Sequence, residues 1–246
     1  MKARISLTGA RRHASKKDHN RPLIGGLHVT SPLPGNTYAE GSICVGAIRN
    51  GLLGFVTAGH VATPAGTVFY QPRISNMNNW TAGTTVVVSG YAVNAQSDSA
   101  FLRDGTVPPG SITRSRIWRS ANSQYTVAGV TVPVVNTAVF MQGAALAAER
   151  SGIICAVGAT IRFADGGVLT GQCLASYRSR EGDSGAPVYV KGADPQVSLI
   201  GLNVGATEPQ YIDPPINPVA YPPADDGTYA IISPWANVAA ELGVTL

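Results

Sequence analysis

The stretch Glu181-Gly182-Asp183-Ser184-Gly185-Ala186-Pro187-Val188 sets a serine beside an acid and between glycines, just ahead of a β-type run. Such a hydroxyl is either ordinary turn chemistry or a nucleophile held clear of its own backbone. Serving as a nucleophile requires a base within hydrogen-bond reach and a third group to orient that base. Four histidines are available. His13 and His19 lie in a basic N-terminal segment with nothing nearby to fix them, and His28 lies in a β-type stretch. His60 ends Gly54-Phe55-Val56-Thr57-Ala58-Gly59-His60, where an apolar strand runs into small residues and leaves an imidazole at a strand-to-loop corner. For the orienting acid, Asp98 opens the alternating run Asp98-Ser99-Ala100-Phe101-Leu102, whereas Asp104-Gly105 reads as a turn. Taken singly, these residues read as a turn serine, a corner histidine and a strand-end aspartate. Together they offer nucleophile, base and orienter in the chain order His60, Asp98, Ser184. A nucleophile elbow of the G-x-S-x-G kind is excluded, because Ala186 stands at its last position and the order of the three residues is reversed.

The elements that must carry these residues read as strands. Ser42-Ile43-Cys44-Val45-Gly46-Ala47-Ile48-Arg49, Asn50-Gly51 and Leu52-Leu53-Gly54-Phe55-Val56-Thr57 read as strand, turn, strand, with Asn-Gly a strong hairpin signal. Residues 84–96, 125–135, 152–163, 167–176, 186–190 and 197–206 are further β-type runs, rich in β-branched residues and broken by Gly and Pro. Strands at this spacing point to a barrel or a sandwich. Ser233-Pro234 before Trp235-Ala236-Asn237-Val238-Ala239-Ala240-Glu241-Leu242-Gly243 predicts a short C-terminal helix, with Ser233 as N-cap and Gly243 as terminator. Residues 144–150 also carry helical propensity, and 207–227, with six prolines, reads as a long irregular loop.

Composition agrees: 246 residues suffice for a large core, only 13% are charged, and Gly (28) and Pro (17) are plentiful. No apolar run has the length of a membrane span. The net charge of +4 is uneven. Residues 1–21 carry seven bases against one acid, and the remainder eleven bases against thirteen acids. The expectation is a basic, disordered arm over 1–21; it has no aromatic residues for base stacking, so no specific nucleic-acid partner is expected. The arm lacks the apolar stretch of a secretory signal. Cys44, Cys155 and Cys173 show no metal-ligand spacing; Cys155 and Cys173 could bridge neighbouring strands, leaving Cys44 as a buried thiol.

With Phe55-Val56-Thr57-Ala58-Gly59-His60, Asp98-Ser99-Ala100-Phe101-Leu102 and Gly182-Asp183-Ser184-Gly185-Ala186-Pro187-Val188 in this order, the chain resembles the chymotrypsin-like serine peptidases, particularly their bacterial branch. The resemblance spans roughly 22–246 and is weakest across 105–150 and 207–227. It implies an all-β fold of two six-stranded antiparallel β-barrels, about 22–115 and about 116–232, followed by a helix over 233–243. It also implies a serine endopeptidase that needs no metal or organic cofactor and acts on peptide or protein substrates. Ser184 attacks the scissile carbonyl, His60 shuttles the proton, Asp98 orients His60, and the amides of Gly182 and Ser184 form the oxyanion hole. The specificity pocket falls on 176–182 and 201–206, including Arg178, Asn203, Val204 and Gly205. Arg178 and Arg180 raise an acidic preference, against which stands a small apolar one.

The pattern also departs from the family. Ala186 stands where Gly is usual, and Val61 follows His60 where many relatives carry a disulfide cysteine, which weakens the inference of an extracellular protein that the resemblance brings. Leu23-Ile24-Gly25-Gly26 is similar to the new N-terminus that animal members create by cleavage, yet Pro22 after Arg21 resists trypsin-like cutting. The competing readings are an inactive or latent homologue that binds peptides or partners, and a basic-arm protein that binds an anionic surface.

Overall fold

The structure, a computed structural model, describes residues 15–17, 20, 22–33, 37–62, 66–71, 85–92, 96–104, 112–145, 148–163 and 166–246. Asn50 and Gly51 take positive φ angles of 49° and 78°, the geometry of a two-residue hairpin turn whose twist suits the flanking strands. They join β4 (Val45–Arg49) to β5 (Leu52–Thr57), with Arg49 opposite Leu52. Around this hairpin an eight-stranded sheet is built. Its order is β18 (Val244–Thr245), β4, β5, β8 (Ser99–Asp104), β7 (Thr85–Ala92), β6 (Val68–Tyr70), β2 (His28–Leu33) and β3 (Thr37–Ser42).

The second sheet has ten strands. Its path runs β1 (Leu23–Gly25), β9 (Ile112–Ser120), β10 (Ser123–Val130), β15 (Gln196–Thr207), β14 (Pro187–Lys191), β11 (Ala138–Met141), β12 (Arg150–Arg162), β13 (Val168–Ala175) and β17 (Tyr229–Pro234). The tenth, β16 (Ile212–Asp213), pairs with β12, and β15 also pairs with β17. Among the described residues the pairings of β1 with β9 and of β10 with β15 are parallel, and the others antiparallel. The fold is therefore all-β with one short helix. The chain ends cross over: β1 joins the second sheet, and β18 returns to the first. Leu23, Ile24 and Val244 are buried, so each sheet is completed by a piece of chain remote from it in sequence.

Helix α1 (Trp235–Leu242) ends, as expected, at Gly243 in the left-handed conformation, φ 63°. Its start differs. Pro234 is the N-cap with no side-chain cap bond, because Ser233 belongs to β17 and its hydroxyl is engaged elsewhere, donating to Gln172 Oε1 at 2.8 Å. No helix forms at the described residues of 144–150; β12 begins at Arg150, where pairing with β11 outweighs local propensity. The long segment 207–227 contains a short 3-10 turn at Pro209–Tyr211 and the strand β16. Most of the predicted solvated arm lies outside the described residues. Within it, Lys16 is buried rather than solvated, at 4% exposure.

All three cysteines are free and buried, so Cys155 and Cys173 are not bridged. Loss of hydration disfavours their thiolates: Cys155 is pushed up to about 11, Cys173 up to about 12, and Cys44 further still. Among the described residues no cluster of His, Cys, Asp and Glu could hold a metal, and no helix is long and apolar enough to cross a membrane. Native protein is expected to leave all three thiols unreacted with an aromatic disulfide reagent at mildly alkaline pH, and to titrate all three once unfolded in guanidinium. Rapid native reaction of any one of them would contradict this burial.

Candidate active site

The three residues singled out in the sequence meet between the two sheets. His60 lies just past the end of β5, Asp98 just before β8, and Ser184 in the loop that leads into β14. Because β5 and β8 are paired, with Thr57 opposite Ala100, their ends bring His60 and Asp98 to the same rim of the first sheet. Asp98 grips His60 twice. Its Oδ1 accepts the His60 backbone N–H at 2.8 Å, and its Oδ2 bonds to the ring Nδ1. The opposite ring nitrogen, Nε2, stands 3.0 Å from Ser184 Oγ. Ser184 Oγ also reaches the Val204 carbonyl at 3.1 Å. The Asp98 side chain is buried while nearly half of the His60 side chain is exposed, so the anchor is dry and the reactive edge is open.

The loop carrying Ser184 is shaped by two residues of positive φ, Gly182 at 88° and Gly185 at 86°. A Cβ on Gly185 would come within 2.4 Å of the Ser42 carbonyl, so the first sheet packs directly on this turn. Within the loop the amides of Asp183, Gly185 and Ala186 donate to Arg180, Asn203 and Asp183 carbonyls respectively. Among the described residues, no acceptor is bonded to the amides of Gly182 and Ser184. Asp183 is fully buried. Its Oδ1 accepts the Ala145 amide at 3.1 Å and its Oδ2 the Arg180 amide at 3.2 Å. Burial raises its carboxyl above the ordinary value, opposed by these two amides and by the positive charges of Lys16 and Arg150.

Several supporting residues carry no sequence signal of this role, and Ser233 reads along the chain only as a helix N-cap. Ser42, at the end of β3, donates its backbone N–H to the Ser184 carbonyl at 2.8 Å. Its hydroxyl donates to the Gly182 carbonyl and accepts the Ala144 amide, both at 2.9 Å. Ser233 Oγ accepts the Asp98 amide at 3.2 Å and donates onward to Gln172. A small hydroxyl residue in a strand reads as surface, and only the assembled sheets give it partners.

A cavity of about 440 Å³ opens beside Ser184 and His60. Phe163, Leu169, Val204, Ala206 and Ile231 give it apolar walls, Gly205 lines it, and Ser179 adds a hydroxyl. Arg180, also predicted for the pocket, lines the cavity together with Glu181, whereas Asn203 and Arg178 fall outside it. Asn203 is fully buried, with Oδ1 accepting the Tyr177 hydroxyl at 3.0 Å and Nδ2 donating to Ser179 Oγ at 2.8 Å. Arg178 lines a different cavity, where it pairs with Asp226 at 3.0 Å and Asp225 at 3.7 Å. Those partners come from the 207–227 loop, a pairing across nearly fifty residues that spacing does not reveal.

No protein-family model matches the chain. Solved structures do. Thermobifida fusca protease A is similar at 23% identity with a TM-score of 0.63, over 91% of this chain and 97% of that one. Cellulomonas bogoriensis chymotrypsin is similar at 22% identity and TM-score 0.64, over 91% and 97%. A glutamic-acid-specific serine protease is similar at 20% identity and TM-score 0.65, over 91% and 100%. At this level of identity the likeness is one of architecture, and the chain accordingly has the fold of the bacterial chymotrypsin-like serine proteases.

Proposed function

We propose that the protein is a serine endopeptidase that cleaves peptide bonds through an acyl-enzyme on Ser184. The observation that carries this reading is the line of contacts from Asp98 through both the backbone and the ring of His60 to Ser184 Oγ. With Asp98 on Nδ1, His60 presents an unprotonated Nε2 to the serine hydroxyl, the tautomer a general base requires. His60 takes the proton as Ser184 Oγ adds to the scissile carbonyl, and returns it to the leaving amine. Asp98, held by the Ser233 hydroxyl, stabilises the imidazolium formed in between. The oxyanion meets the amides of Gly182 and Ser184, which the surrounding bonds leave available. Water then repeats the sequence on the ester and frees Ser184.

The substrate backbone fits the edge of β15. Pairing with β14 stops at Leu202, and Asn203 bonds through its N–H and C=O to Ala186 and Gly185, so from Val204 to Thr207 that edge carries no strand among the described residues. An extended peptide can add there by main-chain hydrogen bonds. That places the side chain ahead of the scissile bond in the apolar cavity, which suits an aliphatic or aromatic group. Arg178, committed to Asp225 and Asp226, plays no part in this choice, and Arg180, the arginine that lines the cavity, stands there with the opposite charge of Glu181.

A fluorophosphonate probe should label the wild type, while Ser184→Ala and His60→Ala label at background. Asp98→Asn should retain the fold and lose about 10⁴-fold in rate, the scale of imposing the wrong imidazole tautomer. Folded wild type that resists the probe would instead favour a non-catalytic peptide-binding homologue. In a fluorogenic peptide series varied at the residue before the cleaved bond, apolar residues should rank above Glu and Asp. Arg178→Ala should leave that ranking intact, and a preference for acidic residues that vanishes in this variant would overturn the assignment of the pocket.

A further inference from the structure

Lysine is among the residue types least often buried, because its ammonium gives up strong hydration. Lys16 nevertheless is, and its neighbourhood is built to hold it. The His28 amide donates to the Lys16 carbonyl at 3.2 Å. Asn20 donates its side-chain amide to the Ser15 carbonyl at 2.9 Å and its backbone N–H to Gln71 Oε1 at 3.2 Å. Inside, Lys16 Nζ donates to the Gly143 carbonyl at 2.6 Å. Gly143 lies against Asp183, since a Cβ there would stand 1.9 Å from Asp183 Oδ1, and two residues on the Ala145 amide donates to that same oxygen. The ammonium, the 143–145 turn and the carboxylate beside the nucleophile thus form one contiguous packed unit.

We propose that Lys16 is a positioning residue for the nucleophile loop: its buried ammonium balances the Asp183 carboxylate and, through the Gly143 carbonyl, holds the 143–145 turn against the loop carrying Ser184. The inference rests on Ser184 being the nucleophile. It makes the arm part of the active-site scaffold, so cutting the chain after Arg21 lowers activity by removing Lys16 rather than releasing a latent enzyme. A buried carboxylate that loses its cation must take up a proton or draw the loop toward water, and either change disturbs the amides of Gly182 and Ser184.

Charge makes the effect dependent on pH. The charged groups facing Lys16 are Asp183 and Glu149, and Arg150 also faces Asp183. Burial lowers Lys16 from its ordinary 10.5 to about 8, against the opposing pull of the two carboxylates. As pH rises through about 8 the folded protein loses this ammonium, and order in the loop falls. Global stability moves the other way through this group. The unfolded lysine keeps its proton up to about 10.5, so between the two values the unfolded state binds more protons and rising pH favours the fold. Alkaline loss of activity without a matching loss of stability is the signature.

The test compares full-length wild type with Lys16→Met from about pH 6 to about pH 10, a range that brackets the titration, following fluorophosphonate labelling and amide hydrogen exchange over residues 179–187. Lys16→Met should label about a hundredfold more slowly near neutrality, the scale of losing one preorganised oxyanion donor. Its exchange should rise over 179–187 alone, and the wild-type decline in labelling above about pH 8 should be missing from the variant. Equal labelling and equal protection in the two proteins would overturn the inference and leave the role of Ser184 standing. Wild type that never labels would remove the peptidase reading, and exchange over 179–187 still decides the inference: a rise in the variant supports it, and no change overturns it. If Lys16→Met does not fold, Lys16→Gln, which keeps a donor for Gly143 and drops the charge, is measured in its place.

Discussion

Everything at the site depends on one constraint: Ser184 belongs to the second sheet, His60 and Asp98 to the first, and reactive atoms on separate bodies must be held within 3.0 Å. Hydrophobic packing alone is non-directional and fixes such a distance poorly. Hydrogen bonds across the junction supply the missing direction. The Ser42 amide holds the Ser184 carbonyl, the Ser42 hydroxyl ties Gly182 to Ala144, and the Asp98 amide is held by Ser233 of the second sheet. The strands exchanged at the chain ends, β1 and β18, reinforce the same junction by making each sheet incomplete without the other's chain.

The local physics separates what must be rigid from what must be open. Three amides of the Ser184 loop are spent on internal carbonyls, and two further amides, of Ala145 and Arg180, on the buried Asp183 carboxylate. The amides of Gly182 and Ser184 are left without a bonded acceptor among the described residues, at little further cost in conformational entropy, which the loop has already given up on folding. His60 is likewise fixed on its inner side and exposed on its outer side. The apolar part of the cavity wall, by contrast, is made of side chains such as Phe163, Leu169 and Ile231, whose replacement alters shape without breaking a bond network. Architecture and substrate preference are therefore separable, in keeping with neighbours of one fold that include a chymotrypsin and a glutamic-acid-specific protease.

How legible each part was follows from the range of the interaction behind it. The Asn50-Gly51 hairpin, the strand runs and the Gly243 terminator rest on local conformational preference, and so could be read along the chain. Three chemically distinctive residues in a particular order were likewise readable, although their convergence is a tertiary fact. Ser233 shows the limit. Its local context says N-cap, while its hydroxyl serves Asp98 and Gln172 from sheets that sequence cannot juxtapose. Arg178 fails for the same reason, since its carboxylate partners lie in a distant loop. The 144–150 segment has helical propensity but joins β11 to β12, and its last residue, Arg150, is drawn into β12 opposite Met141.

Lys16 is the strongest case of a composition argument overridden by placement. A segment with seven bases and one acid reads as solvated because isolated charges resist burial. That reasoning holds for each base unless a buried acid awaits it, and Asp183 is such an acid, fully buried next to Ser184 in the chain. Burying either charge alone is costly; burying both within reach of each other and of fixed amides offsets much of that cost and ties remote parts of the chain to one geometry. Such a pair adds little to overall stability compared with a well-packed apolar replacement. What the proposed arrangement offers instead is a fixed geometry, since Lys16 is bonded to the Gly143 carbonyl and the Ala145 amide to the carboxylate. Under the proposed mechanism, a loop that must aim two amides at one point benefits more from a fixed arrangement than from additional buried area.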